Sequence, residues 1–78
     1  MSEREINALV TAIGRVGTED HNLIPRTPGF TRKLAEMIAE DFEGDYEISR
    51  YGYVEFNGTD LEEILGGLRS DLPFYFAR

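Results

Sequence analysis

Carboxylates are the most numerous of the side chains capable of chemistry in this chain. Six of them, Glu36, Glu40, Asp41, Glu43, Asp45 and Glu47, follow one another with no Lys or Arg between. Such a run could serve as a general acid and base pair, ligate a hard cation, or dock onto a basic surface. Acid and base work needs one carboxyl of raised pKa beside an ionised one, which spacing along a chain does not supply. The segment Asp41-Phe-Glu-Gly-Asp-Tyr-Glu is superficially like a calcium loop. It lacks both the glycine spacing and the closing bidentate Glu of an EF-hand. Docking onto a basic partner is left, set against plain solvation of an acidic turn.

The single histidine, His21, sits between Asp20 and Asn22. With Asp20 it could ligate a metal or act as a base. A lone His in a chain without cysteine is instead expected to be an exposed loop residue. Three scattered serines (Ser2, Ser49, Ser70) form no Gly-x-Ser-x-Gly turn, and the glycines match no phosphate-cradling loop. The expectation is a chain that is not an enzyme and uses no cofactor and no metal.

The elements that carry these residues can be placed by periodicity. Ser2 and Glu5 form a capping box, and Ile6, Leu9, Val10, Ile13 and Val16 follow at helical spacing, so a first helix is expected over 2–16 with Gly17 at its end. Residues 18–27 read as an irregular connection. Thr27-Pro28 opens a second helix to about Phe42, with Phe30, Leu34, Met37, Ile38 and Phe42 as its stripe. Its cations Arg26, Arg32 and Lys33 lie near the start and Glu36, Glu40 and Asp41 toward the end, the reverse of what the helix dipole prefers.

The sequence reads as organised around a β-hairpin over residues 45–58. Closing the turn at Arg50-Tyr51-Gly52 pairs Ile48 with Val54 and Tyr46 with Phe56 on one face. The same register sets Glu47 against Glu55 outside, a like-charge pair that costs a few tenths of a kcal/mol. Thr59 with Glu62 suggests a second capping box, opening a third helix with Leu61, Ile64, Leu65, Leu68 and Leu72 as its stripe. At Gly66-Gly67 either the helix ends or, as the continuing leucine period favours, the glycines let another backbone approach, and Pro73 stops the helix in any case. The final Phe74-Tyr75-Phe76 run is expected to form a short strand parallel to the one before the third helix, or to pair with a second copy.

The outcome is a single α+β domain over 1–78, ordered α-α-β-β-α with a short C-terminal strand, its hairpin sheet covered by helices. Fifteen Asp and Glu against eight Lys and Arg give a net charge of −7 and a pI near 4.5. That balance opposes nucleic acid and anionic membrane as partners. No apolar run approaches the roughly 20 residues of a membrane span, and the start lacks a signal peptide, so a cytoplasmic protein is expected.

Three functions remain in view. The first is a non-catalytic protein-binding module whose acidic surface (Glu36, Glu40, Asp41, Glu43, Asp45, Glu47 and Glu55) docks on a basic protein. Its composition is that of small acidic inhibitors common in phage genomes. The second is a self-associating subunit, a homodimer being the simplest form, in contact through Tyr51, Tyr53, Phe74, Tyr75 and Phe76. The third is a small nucleic-acid-binding regulator, which a helix pair followed by a hairpin suggests and the net charge opposes.

Overall fold

The computed structural model describes residues 2–77. Helix α1 spans Glu3–Glu19 and opens as expected: the Glu5 amide donates to the Ser2 hydroxyl at 3.2 Å, and the Ser2 amide donates to the Glu5 carboxylate at 3.1 Å. The helix continues past Val16, so Gly17 lies inside it and is buried. A Cβ at Gly17 would lie 3.1 Å from Ile24 Cγ1 and 3.7 Å from Ile24 Cα. Glycine is used there because the returning chain packs closely against α1, not because the helix ends.

The expected irregular connection is largely ordered. Asp20 accepts the Asn22 amide at 3.0 Å and starts a 3₁₀ turn over His21–Leu23. Leu23, unassigned by periodicity, is buried. Helix α2 spans Pro28–Asp41, with Thr27 accepting the Phe30 amide at 3.2 Å. Leu9 and Ile13 of α1 cluster with Leu34, Ala35, Ile38 and Ala39 of α2 in the main packing layer. Ala35 and Ala39 allow the two helices to approach where larger side chains would separate them.

Strands β1 (Tyr46–Ile48) and β2 (Val54–Phe56) pair antiparallel in the expected register, with Tyr46 opposite Phe56, Glu47 opposite Glu55 and Ile48 opposite Val54. The Ser49 amide donates to the Tyr53 carbonyl at 2.9 Å and the Gly52 amide to the Ser49 carbonyl at 3.0 Å. Gly52 has φ +87°, the conformation that this turn requires. The inner residues of both strands are only half-buried. The chain is therefore organised around its helices, and the hairpin flanks that core. Two strands of three residues carry too little apolar face to form a core themselves.

Helix α3 spans Leu61–Asp71 and contributes Leu61, Ile64 and Leu65 to the core. Its cap is Asp60, not Thr59: the Asp60 carboxylate accepts the Glu63 amide at 2.8 Å, while the Thr59 hydroxyl donates to the Glu63 carboxylate at 2.6 Å. The helix passes through Gly66 and Gly67, but no atom lies within 4 Å of where either Cβ would be. The expected close approach of another backbone does not occur.

The C-terminal strand beside the hairpin is also replaced. Pro73–Tyr75 form a 3₁₀ turn, and Phe76 makes one antiparallel bridge with Pro25. The Arg26 amide donates to the Tyr75 carbonyl and the Ala77 amide to the Ile24 carbonyl, each at 2.8 Å. Proline at the start favours a turn over a strand, and the segment before α2 supplies the backbone partners that the hairpin edge would have supplied. Phe76, 2% exposed, closes the core. No helix among the described residues is long and apolar enough to cross a membrane.

Candidate functional site: the acidic surface of α2 and the hairpin

The acidic residues fall into two groups. Glu36 and Glu40, one turn apart on α2, line a shallow cleft with Lys33 and Met37. Glu40 continues into a second cleft with Glu43, Tyr46 and Glu5 of α1. Three of the expected residues are thus joined in a line running from the middle of α2 to the start of β1. Glu47 and Glu55 form the second group, exposed and directly opposed across the two strands. Asp41 and Asp45 are exposed but line neither cleft.

Tyr46 is the polar centre of the second cleft. Partial burial raises its phenol pKa most, followed by the negative charges of Glu5 and Glu43 and a hydrogen bond to Glu5. Each of these favours the neutral hydroxyl, which can donate among carboxylates that only accept. Glu5 went unassigned to this surface because its visible role is the capping box. No local signal in the chain links it to Glu40; the packing of α1 on α2 does.

The reversed charge order of α2 has a cause within the fold. Arg32 donates to both carboxylate oxygens of Glu3, at 2.9 and 3.1 Å, and lies 3.4 Å from Glu36. Glu36 is therefore partly neutralised. Among the described residues, Glu40, Asp41, Glu43, Asp45, Glu47 and Glu55 form no ion pair. What is left unneutralised is the lower end of α2 and the outer face of the hairpin.

The aromatic residues expected at a self-association surface are divided. Tyr51, Tyr53 and Phe74 are 77%, 56% and 65% exposed. Each carries an arginine: Arg50 lies 6.0 Å from the Tyr51 ring centre, Arg15 4.7 Å from Tyr53 and Arg26 4.5 Å from Phe74. Tyr75 is half-buried against Phe30, their ring centres 4.7 Å apart. Phe76 must be removed from that surface, because its side chain fills the core.

His21 is exposed on its 3₁₀ turn and borders an apolar cleft with Gly14, Gly17, Thr18, Ile24 and Pro25. Among the described residues, no three His, Cys, Asp or Glu side chains are grouped to hold a metal ion. Comparison with models of protein families, with curated proteins and with solved structures found no match to this chain.

Proposed function

We propose that the chain is a non-catalytic, cytoplasmic protein-binding module that docks its acidic surface onto a basic partner protein, in the manner of a small inhibitor. The observation that supports it is the division of charge just described. Arg32 is engaged with Glu3 and Glu36, whereas Glu40, Glu43, Asp45, Glu47 and Glu55 face solvent and form no ion pair among the described residues. Uncompensated carboxylates on the surface of a small domain produce a field that steers a basic surface and is screened by salt. The test compares capture of basic proteins from a cell extract by the wild type and by an E43K/D45K/E47K variant at low and high salt. Loss of the same protein by charge reversal and by salt is the expected result; capture unchanged by charge reversal rejects the reading.

Self-association is supported by a different observation, the three exposed rings of Tyr51, Tyr53 and Phe74. It predicts a mass that rises with concentration and falls in a Y51A/Y53A/F74A variant, measured by sedimentation.

A further inference from the structure

We infer that the groove between the outer face of α1 and the tip of the hairpin binds a short acidic segment of a partner protein. It is lined by Arg4, Asn7, Thr11 and Arg15, on one face of α1, with Tyr51 closing its far side. No carboxylate residue lines it, although acidic residues outnumber basic ones 15 to 8 in the chain. The groove is opposite in sign to the α2 surface and does not depend on the reading given for that surface.

The arginines here are held in place by groups other than carboxylates. An Arg4 Nη donates to the Ser49 carbonyl at 2.7 Å, and the Arg15 guanidinium lies over the Tyr53 ring at 4.7 Å. Neither forms an ion pair among the described residues. A guanidinium held over a ring gives up none of its N–H donors to a carboxylate, and its planar fork matches a carboxylate with two parallel hydrogen bonds. Anchoring by a ring or a carbonyl also reduces the side-chain freedom that binding must remove. Tyr51, 77% exposed, adds a flat amphipathic wall.

The dimensions define the occupant. The helical rise from Arg4 to Arg15 is about 16 Å, which an extended chain covers in roughly five residues. A segment with carboxylates at both ends and polar residues between, within reach of Asn7 and Thr11, matches the order of groups in the groove. A nucleic-acid strand fits less well. It carries one charge per nucleotide, more than the two arginines of the groove can meet, against a net charge of −7.

The test is fluorescence anisotropy of the full chain with a labelled peptide of about six residues, acidic at both ends, beside labelled oligothymidine of equal charge. Saturable peptide binding is expected, weakened about tenfold or more by R4A/R15A and by T11E. Thr11 is exposed, and a Glu there precedes Arg15 by one turn, an arrangement that supports the helix. T11E therefore keeps the fold while placing a carboxylate in the groove one turn from Arg15. Absence of saturable binding, or equal binding by T11E, overturns the inference. Tighter binding of oligothymidine, or a wild-type dimer that T11E dissociates, also overturns it by assigning the groove to a nucleic acid or to a second copy.

Discussion

Arg32 of α2 and Glu3 of α1 form a two-pronged ion pair, at 2.9 and 3.1 Å, between the two longest helices. A cation near the start of α2 disfavours that helix alone, but here it ties the first turn of α1 to α2. The hydrogen bonds from Arg32, and next its charge, hold the Glu3 carboxyl below its ordinary value of 4.5. A depressed value in the folded state means stabilisation that is present above 4.5 and lost as pH falls through the folded value. The pair is exposed, so the effect is small and sensitive to salt. Glu3→Gln should lower the Tm near neutral pH at low salt, and the difference from wild type should vanish in acid. A difference that persisted unchanged after Glu3 was protonated would contradict this assignment.

The helical glycines should divide by environment. Gly14, Gly66 and Gly67 have no atom within 4 Å of where a Cβ would lie, whereas Gly17 has Ile24 Cγ1 at 3.1 Å. Gly→Ala at each open site is expected to add about 0.5–1 kcal/mol. Gly17→Ala should gain markedly less, and Gly17→Leu should destabilise, since the larger side chain meets the backbone at Ile24. Urea denaturation of the series measures this ranking.

Gly52 supports the hairpin through its backbone alone. Its φ of +87° strains any residue with a Cβ, while no neighbour would obstruct one. Gly52→Ala should cost about 1–2 kcal/mol, and Gly52→Asn less, because Asn tolerates this region better. Equal losses for the two in chemical denaturation would point to a cause other than φ.

Glu47 and Glu55 face each other across the strands. Replacing either with Lys converts a repelling pair into an attracting one, worth roughly 0.2–1 kcal/mol. E47K and E55K should each raise the Tm, and E47K/E55K should return toward wild type. Should the same single variants lose binding to a basic partner, the cost of this pair would be tied to function.

The adjacent aromatics of the C-terminal segment should behave differently. Phe76 is 2% exposed and Phe74 65% exposed. Phe76→Ala is expected to cost about 3–5 kcal/mol, a large part of the stability of so small a domain. Phe74→Ala should cost far less, losing its edge contact with Phe30, whose ring centre lies 5.7 Å away, and its cover by Arg26. Thermal denaturation of the two variants decides it.

By itself the sequence determined what depends on near neighbours. The Ser2 and Thr27 caps, the α2 start at Pro28 and the hairpin register were all legible. A cap is closed within three residues, and alternation with Gly52 at the turn admits one register that keeps apolar residues together. A local signal can also miss by one residue: Asp60, and not the expected Thr59, caps α3. Only the tertiary structure decided that Gly17 is a packing position, that Phe76 crosses to Pro25 instead of joining the hairpin, and that the helices form the core. It alone brought Glu5 to Glu40 and Glu43, and Arg4 and Arg15 to the hairpin tip. Those pairings depend on how much apolar surface each element can bury against the others, a quantity that belongs to the assembled fold and to no segment of it.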